Sequence, residues 1–416
     1  MSSIGIVGLG YVGLPLAVAF AEAGRDVVAL DVDPRKVEAL RAGRSYVEDI
    51  PSERLQAVVG RIEVTTRPAA LANAEAILIC VPTPLTANRE PDLGPLLDAG
   101  QALAGVLQTG QLVILESTTY PGTTRERLLP LLEESGLAAG RDFALAFSPE
   151  RVDPGRTDFT LKTTPKVVGG LTDECGDRAQ ALYELVCDRV VRVSTPEVAE
   201  MSKLLENIFR SVNIALVNEL AILADRMDVD IWEVVEAAST KPYGFMRFEP
   251  GPGMGGHCLP VDPFYLSWRA RQFDMATEFI ELAGKINQNM PYHCVQRIER
   301  ALNAAGKPVN GSKVALIGVS YKAGVGDMRE APALKMLLLL SGLGADLRYH
   351  DPYVPELREP VLESMGLDEV LEDCDVAVIV TAHPGIDHRE VVERAPLVVD
   401  LRGVTRGVEA PSVVRL

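Results

Sequence analysis

The chain has 416 residues, which is too long for one ordinary hydrophobic core, so two or three domains are expected. With 47% hydrophobic and 24% charged residues, its composition is that of a soluble globular protein. The formal net charge of −17 argues against a general attraction to nucleic acid or to anionic lipid. Because no apolar run approaches the length that spans a bilayer and no signal-peptide pattern is present, we expect a cytoplasmic protein with neither nucleic acid nor membrane as a partner.

Cysteine and histidine are too sparsely placed to indicate a disulfide framework or a metal site. None of the six cysteines forms a CxxC pair, and the five histidines lack metal-ligand spacing. We therefore expect no metal and six free thiols, most of them buried packing residues. The cysteines are Cys80, Cys175, Cys187, Cys258, Cys294 and Cys374.

The first half of the chain alternates short apolar, β-branched runs with helical stretches, which predicts a parallel sheet covered by helices. The predicted strands cover residues 4–8, 26–33, 76–82, 112–117, 143–149 and 166–170. Between the first two strands, residues 11–24 form an amphipathic pattern that predicts a helix ending at Gly24.

The pattern changes after about Thr195. Residues 197–227 contain neither Gly nor Pro, which predicts one long helix or two joined ones, and a second helical stretch covers roughly 275–305. A long helix that is apolar over much of its surface often packs against a second copy, so we expect a homodimer. A new α/β unit follows, with predicted strands at 313–319, 345–351, 375–381 and 397–403.

The first predicted turn carries a dinucleotide-binding pattern. "GLGYVG" supplies Gly8, Gly10 and Gly13 after a strand and before a helix, and Asp31 ends the next strand. The glycines let a pyrophosphate approach the helix N-terminus, while Asp31 would accept a ribose hydroxyl and repel a 2′-phosphate. The alternative, a merely tight turn, leaves Asp31 unexplained, so NAD is predicted and NADP is disfavoured. The cofactor-binding residues predicted here are Gly8, Gly10, Tyr11, Val12, Gly13, Asp31, Arg35 and Lys36.

The predicted fold class is α/β, with two Rossmann-like parallel-sheet domains joined by a central long-helix region. Residues 1–195 form the predicted NAD-binding domain, 196–305 the central helical dimerisation region, and 306–416 a second Rossmann-like domain.

Polar segments follow three further strands of the first sheet: "CVPTP" at 80–84, "ESTTYPGTT" at 116–124 and "SPER" at 148–151. Because the carboxyl ends of parallel strands open into the same crevice, Thr83, Thr118 and Glu150 are candidates to line the nicotinamide end. The alternative is ordinary turn chemistry, since Ser, Thr and Pro cap strands and helices routinely.

On the long helix, Lys203 and Asn207 lie four residues apart and so project from one face, with Arg210 on or near it. From spacing alone, a lysine on a helix is more often a solvated charge than a functional residue.

The segment "GPGMGGHCLPVDP" at 251–263 places Cys258 in a glycine-rich loop four residues before Asp262. Because the thiolate is the reactive form of cysteine, its pairing with NAD indicates a specific chemistry. An aldehyde made from an alcohol would be attacked by Cys258, oxidised to a thioester and hydrolysed to an acid. Lys203 and Asn207 could stabilise the oxyanions and Asp262 could activate water. A single-step hydroxyacid dehydrogenase and a non-catalytic NAD-binding regulator remain alternatives.

The ordered set of motifs resembles the UDP-glucose/GDP-mannose dehydrogenase family over essentially the whole chain. The matching segments are "GLGYVG", "ESTTYPGTT", "SPER", "SKLLENIFRSVNIALVNEL", "GPGMGGHCLPVDP" and "GVSYKAGVGDMREAPAL". The resemblance implies an N-terminal NAD domain, a central helical dimerisation region and a C-terminal domain for the nucleotide part of a UDP-sugar substrate. It also implies a four-electron oxidation of the sugar C6 alcohol to a carboxylate, with two NAD per sugar and no metal.

Carried over residue by residue, the resemblance implies that Cys258 is the nucleophile and that Lys203 and Asn207 stabilise oxyanions and hold a water. Arg247 would reach the substrate of the partner subunit in a homodimer. The implied catalytic residues are Cys258, Lys203, Asn207, Asp262, Glu150 and Thr118. The implied substrate-binding residues are Glu150, Arg151, Lys203, Asn207, Arg210, Arg247, Gly255, Cys258 and Lys322. The implied additions to the cofactor site are Thr83, Thr118 and Arg329.

The resemblance also bears on the sugar. Glucose-specific relatives usually carry a lysine where this chain has Val261, and Arg210 and Asn213 also depart from their pattern. The segments around these residues look more like the branch that acts on UDP-N-acetylhexosamines, and "FYLSW" and "FIELAGKIN" favour UDP-N-acetylglucosamine over UDP-N-acetylmannosamine. UDP-glucose and TDP-glucose stay open, because the shape of the pocket decides between them.

Overall fold

The computed structural model describes residues 3–86, 88, 90–153, 158–256 and 261–416. The chain divides into two compact units, which we call the first unit (Met1–Glu206 and Phe264–Ala276) and the second unit (Asn207–Pro263 and Thr277–Leu416). The division between them falls inside the long central helix. The three-segment division at residues 195 and 305 is a different partition and stays a prediction.

The described secondary structure alternates strands and helices through both units. The strands are β1 Ser3–Val7, β2 Val27–Leu30, β3 Ile62–Thr65, β4 Ala74–Ile79, β5 Leu112–Leu115, β6 Ala144–Phe147, β7 Lys166–Gly170, β8 Val190–Val193, β9 Lys313–Ile317, β10 Asp346–His350, β11 Glu356–Arg358, β12 Val361–Glu363, β13 Val376–Ile379, β14 Val398–Asp400 and β15 Val413–Arg415. The helices are α1 Gly13–Glu22, α2 Pro34–Arg41, α3 Ser52–Val58, α4 Gly94–Ala104, α5 Leu129–Glu133, α6 Asp173–Tyr183, α7 Pro196–Met227, α8 Ile231–Ser239, α9 Asp262–Arg271, α10 Glu278–Ala304, α11 Pro332–Gly342, α12 Leu367–Leu371 and α13 His388–Arg394.

The first unit is built on an eight-stranded sheet in the order β3-β2-β1-β4-β5-β6-β7-β8. Neighbouring strands are parallel except for β6 and β7, so β7 and β8 run against the rest. Strands β2, β5 and β6 are buried along their whole length, as expected when helices cover both faces of a sheet. All six strands predicted here are confirmed, while β3 and β8 are additional edge strands of four residues each.

The second unit contains a five-stranded parallel sheet in the order β10-β9-β13-β14-β15 and a separate antiparallel pair, β11 with β12. Its four predicted strands are confirmed, and β15 is an additional half-buried edge strand. The predicted central helices correspond to α7, a single helix of 32 residues, and α10, of 27 residues. The predicted fold class, α/β with two Rossmann-like parallel-sheet domains and a long-helix region, is therefore confirmed.

One expectation about the long helix needs correction. Among the described residues, α7 alone is long and apolar enough to cross a bilayer by length and composition, although the sequence reading found no such run. The core helix of a soluble protein meets the same criterion of length and composition, although only a third of the most apolar window of α7 is buried. A single helix of this kind is weak evidence for a membrane protein.

Candidate functional site

The three glycines of the first turn have three different structural roles. Gly8 has a φ of +92°, a conformation that side chains disfavour. A Cβ at Gly13 would lie 1.8 Å from the carbonyl oxygen of Gly8, so α1 can pack against the turn only without a side chain there. A Cβ at Gly10 would meet no atom of the described residues within 4 Å. Gly10 therefore leaves an open backbone surface that a phosphate could approach.

The Asp31 side chain connects the end of β2 to this glycine turn by a hydrogen bond. Its side chain is 4% exposed, and Oδ2 accepts hydrogen bonds from the Leu9 amide at 2.8 Å and from Lys36 Nζ at 3.1 Å. Oδ1 accepts one from the Asp33 amide at 2.9 Å. A carboxylate offers about four acceptor directions, so one remains for a ribose hydroxyl. Arg35 instead pairs with Asp33 at 2.8 Å on the surface.

The start of α1 completes a site that fits NAD. Val12 precedes the helix and provides no side-chain cap, so the first-turn N–H groups can receive a phosphate. Tyr11 is 38% exposed beside them. The Tyr46 hydroxyl, which no sequence motif indicates, donates to the Leu9 carbonyl at 2.6 Å and so supports the turn. Burial, with a smaller effect from Asp31, raises the pKa of Tyr46, so this hydroxyl stays a donor.

The structure brings Thr83 and Thr118 together at the carboxyl ends of β4 and β5. The Thr83 hydroxyl donates to the Thr118 carbonyl at 2.7 Å, and the Tyr265 hydroxyl donates to the Thr83 carbonyl at 2.9 Å. Ser117 donates to the Val81 carbonyl at 2.6 Å between the same two strand ends. These bonds hold both threonine segments at the edge of the sheet where open α/β sheets bind their ligands.

Glu150 belongs to what we call the buried charge cluster, formed with Glu116, Lys166 and Tyr183. Lys166 Nζ lies 2.8 Å from Glu116 Oε2 and 3.4 Å from Glu150 Oε2. The Tyr183 hydroxyl donates to the other oxygen of Glu116. Glu116 was visible as the first residue of "ESTTYPGTT", but no sequence signal identified Lys166, which lies 50 residues further along the chain.

The pKa values of the two carboxyl groups in this cluster are shifted in opposite directions. Burial raises the pKa of Glu116, and the attraction of Lys166 offsets this only in part. Burial acts in the same direction on Glu150, but Lys166 and the amides of Val152 and Arg151 outweigh it and hold the pKa of Glu150 below its usual value. These amides donate to Glu150 Oε1 at 2.6 and 2.7 Å. Glu150 is therefore ionised at neutral pH.

The first turns of α7 contribute Lys203 and Glu206 to the first unit. Lys203 is buried, with 8% of its surface exposed, and its charge also favours ionised Glu150. Arg151, predicted to bind substrate, pairs with Glu206 at 2.7 Å and donates to the Pro165 carbonyl at 2.6 Å, and its predicted role stays a prediction.

Glu200, also on α7, holds the loop that follows Thr118 and was not predicted. Its Oε2 accepts from the Gly122 amide at 2.6 Å, and its Oε1 accepts from the Thr124 amide at 2.9 Å and the Thr124 hydroxyl at 2.7 Å. Glu200 is fully buried, and this burial raises its pKa to about 7 against the effect of these donors.

In the second unit, the structure brings together two predicted catalytic residues. The Asn207 amide donates to Oδ2 of Asp262, which is 3% exposed. The predicted nucleophile Cys258 lies outside the described residues, as do His257, Leu259 and Pro260. The five other cysteines are free and buried.

The glycines before Cys258 also have a packing role that the sequence reading did not foresee. A Cβ at Gly255 would lie 2.6 Å from the Tyr321 Cβ, and one at Gly256 would lie 2.8 Å from the Tyr321 ring. The Gly256 amide donates to the Arg329 carbonyl at 2.9 Å. The loop therefore packs closely on the segment that carries Lys322, which is half-buried, and Arg329.

The predicted arginines of the second unit lie at the surface. Arg210 is exposed, Arg247 pairs with Glu249 at 2.8 Å, and the Arg329 side chain pairs with Asp327. The pairing of Arg247 within its own chain does not test its predicted reach to a partner subunit.

The second sheet has no counterpart to the available acceptor of Asp31. Asp351 follows β10 as Asp31 follows β2, and it is fully buried in its side chain. It accepts from the amides of Val319 at 2.8 Å and Tyr353 at 2.8 Å, and it pairs with His383 Nε2 at 2.9 Å. Two further amides bond to the same carboxylate, so its acceptor directions are used within the fold.

Comparison with known proteins identifies the family. Models of the UDP-glucose/GDP-mannose dehydrogenase family match residues 2–187 as its NAD binding domain, 197–289 as its central domain and 315–407 as its UDP binding domain. The chain belongs to the UDP-glucose/GDP-mannose dehydrogenase family. The resemblance, the oxidoreductase class and NAD as cofactor are thereby confirmed, and the last match supports a UDP-sugar as the substrate class.

Relatives of this dehydrogenase carry different sugar names. The UDP-N-acetyl-D-mannosamine dehydrogenase of Pyrococcus horikoshii is 36% identical over 426 residues, covering 97% of this chain and 99% of the relative. The UDP-N-acetyl-D-glucosamine 6-dehydrogenase of Pseudomonas aeruginosa is 36% identical over 369 residues, covering 88% and 86%. The solved UDP-D-ManNAc dehydrogenase of P. horikoshii superposes with a TM-score of 0.91 at 34% identity, covering 99% of this chain and 98% of that one. Identity alone therefore does not choose the sugar.

Proposed function

We propose that this dehydrogenase oxidises the C6 hydroxyl of a UDP-hexose to a carboxylate, with UDP-N-acetylglucosamine as its preferred substrate. The observation that carries the reaction type is the Asn207–Asp262 pair, which fixes a buried carboxylate four residues after Cys258. A structural cysteine in a one-step dehydrogenase would not require a buried acid at this spacing. The preference for the N-acetylated sugar rests on Val261, Arg210 and the P. aeruginosa relative.

Cys258 is the proposed covalent catalyst. When bound, NAD supplies a hydride acceptor, and two are reduced for each sugar. The Cys258 thiolate adds to the C6 aldehyde to form a thiohemiacetal, which becomes a thioester when its C6 hydrogen leaves as the second hydride. Water then adds to the thioester carbon and the thiolate leaves. The sum is one alcohol, two NAD⁺ and one water giving one carboxylate, two NADH and three protons.

The other predicted residues serve this sequence as donors and proton acceptors. We assign Lys203 and Asn207 to stabilising the oxyanions that develop at C6. Asp262, oriented by Asn207, is the proposed base for the hydrolytic water, ionised Glu150 is a proposed proton acceptor, and Thr118 completes the proposed catalytic set.

Binding and assembly follow the same proposal. Lys322, Arg210 and Arg151 hold the UDP-sugar, Arg329 meets the NAD phosphates, and Arg247 acts in the partner subunit of a homodimer. The homodimer is supported by apolar side chains of α7 that solvent reaches, among them Leu205 at 64% and Met227 at 62% exposure. The cytoplasmic location stays a prediction.

The stoichiometry of NADH tests the reaction type. Each of UDP-N-acetylglucosamine, UDP-N-acetylmannosamine, UDP-glucose, UDP-galactose and TDP-glucose is incubated with excess NAD, and NADH absorbance is compared with sugar consumed. We expect two NADH per sugar, with UDP-N-acetylglucosamine giving the highest kcat/KM. A ratio of one with an aldehyde product would establish the one-step dehydrogenase, and a preference for UDP-glucose would refute the proposed sugar.

The nucleophile is tested by substitution with a matched control. Cys258→Ser should stall after a slow or trapped intermediate, because a hydroxyl is a weaker nucleophile than a thiolate at neutral pH. Cys374→Ser, at a buried cysteine in the second unit, should retain wild-type turnover. Full turnover by Cys258→Ala on every sugar would remove Cys258 from the mechanism.

A further inference from the structure

Lys166 occupies a position that only the reversed strand of the first sheet can provide. It is the first residue of β7, which pairs antiparallel with β6 through Ala146 opposite Gly170 and Phe147 opposite Gly169. Continuing this register beyond the end of β6 places residue 150 opposite residue 166. Because β7 starts at the edge where β4, β5 and β6 end, Lys166 enters the ligand-binding edge of the sheet.

The ammonium group of Lys166 is held from three sides. Glu116, which follows β5, lies 2.8 Å away, and Glu150, which follows β6, lies 3.4 Å away. Tyr183, the last residue of α6, presents its ring 5.2 Å from Nζ and donates its hydroxyl to Glu116. The Lys166 side chain is 3% exposed, so these interactions are largely shielded from water.

The charges of the cluster make Glu150 dependent on Lys166. Glu116 and Glu150 are two carboxylates that would repel each other, and a buried carboxyl without a cation binds a proton instead of staying charged. Burial lowers the pKa of Lys166, but the two glutamates and, more weakly, Cys187 outweigh it and raise that pKa, so the ammonium group stays charged. Lys203 also lowers the pKa of Glu150, but by less than Lys166 does.

We propose that Lys166 is a positioning residue that keeps the Glu150 carboxylate charged and aimed at the substrate edge of the sheet, with Glu116 and Tyr183 anchoring the ammonium group. The inference rests on the proposed function of Glu150 as a proton acceptor. Lys166 touches neither sugar nor NAD in this role, and it acts on the reaction through Glu150.

The test removes the cation together with its anchor. A single Lys166→Met change leaves Glu116 buried without its partner and endangers folding, whereas Lys166→Met/Glu116→Gln replaces the pair by neutral groups of similar size. An opposite charge within about 4–6 Å lowers a carboxyl pKa by about 1–3 units. Because Glu116→Gln also removes the repulsion between the two carboxylates, the reference for the double variant is the single variant Glu116→Gln. Relative to it, we expect the acid limb of the kcat profile with UDP-N-acetylglucosamine to lie about one pH unit or more higher, which is about a tenfold loss of turnover below that limb.

An infrared titration follows the protonation of the Glu150 carboxyl group directly, without catalytic turnover. The protonated-carboxyl band that is lost on Glu150→Gln should appear at higher pH in Lys166→Met/Glu116→Gln than in Glu116→Gln. Lys166→Arg, which retains a cation, should keep both the band and the acid limb near their wild-type positions. Arg54→Met, which breaks an exposed pair with Glu22 at 2.8 Å in the same unit, should change neither.

Three outcomes separate the proposals. An unmoved acid limb and an unmoved band in the double variant would overturn the role of Lys166. The same shift in a Glu150→Gln background would overturn it too, because the effect would then bypass Glu150. If Glu150→Gln itself retains wild-type kcat and pH profile, the proposed function of Glu150 fails, and the role of Lys166 in catalysis fails with it, whatever the infrared titration shows about the charge.

Discussion

Replacing Glu200 with glutamine should destabilise the protein by an amount that depends on pH. In the wild-type protein both carboxylate oxygens of Glu200 accept hydrogen bonds, from the Gly122 amide at 2.6 Å and from two donors of Thr124. A glutamine has one oxygen and one NH₂ group. Its NH₂ group would therefore point at the donor of either Gly122 or Thr124, and that donor would lose its acceptor. Unsatisfied buried donors cost about 1–3 kcal/mol each.

The pH dependence follows from the burial of Glu200. Its folded pKa is raised from 4.5 to about 7, so its contribution to stability is complete below pH 4.5 and declines as pH rises to about 7. At about 1.36 kcal/mol per pKa unit, the difference corresponds to about 3 kcal/mol. Glutamine does not titrate. The destabilisation by Glu200→Gln should therefore be largest near pH 5 and about 3 kcal/mol smaller near pH 8.

Urea unfolding of the full chain at both pH values, combined with hydrogen exchange of the Gly122 and Thr124 amides, measures this difference. The exchange data localise the effect, because a chain of two units need not unfold in one step. The matched control is Glu197→Gln, which breaks a partly exposed pair with Arg125 at 2.7 Å. The pKa of Glu197 is lowered from 4.5, so its contribution is lost only as pH falls below that value, and the smaller effect of Glu197→Gln should be nearly equal at pH 5 and pH 8. An equal loss of stability at both pH values for Glu200→Gln would refute the reasoning.

Three further predictions concern the cofactor turn and the chemistry. Gly10→Ala should fold normally yet weaken NAD binding at least about tenfold by calorimetry, whereas Gly13→Ala should lower the melting temperature, because only its Cβ would clash with the turn. Asp262→Asn keeps a polar partner for Asn207 but removes the base, so single-turnover hydrolysis should slow by about 10²–10⁴-fold; unchanged hydrolysis would exclude Asp262. Iodoacetamide at neutral pH should modify Cys258 first by mass spectrometry, since the other five thiols are buried; prior labelling of another cysteine would contradict this.

Local patterns in the sequence were sufficient to predict the main strands of both sheets and the glycine turn that follows β1. Buried strands such as β5 are continuous apolar runs, and the glycine spacing with Asp31 lies within one strand–turn–helix–strand segment. Short edge strands such as β8 escaped prediction because they are only half-buried and bear a weak apolar pattern. The sequence analysis assigns proposed catalytic roles to Asn207 and Asp262, but it does not predict the hydrogen bond between them.

The supporting residues were decided by tertiary structure alone. Lys166 reaches Glu150 because β7 reverses direction, and Glu200 reaches Gly122 across 78 residues because α7 packs beside the loop after β5. Neither contact has a periodic or local signature, since each depends on which strand neighbours which and in which direction it runs. The sequence by itself determined the family of the chain, and it indicated the roles that are proposed for the reactive groups. Only the packed sheet determined which buried charges hold them in place, because a charge is stabilised by neighbours in space and not by neighbours along the chain.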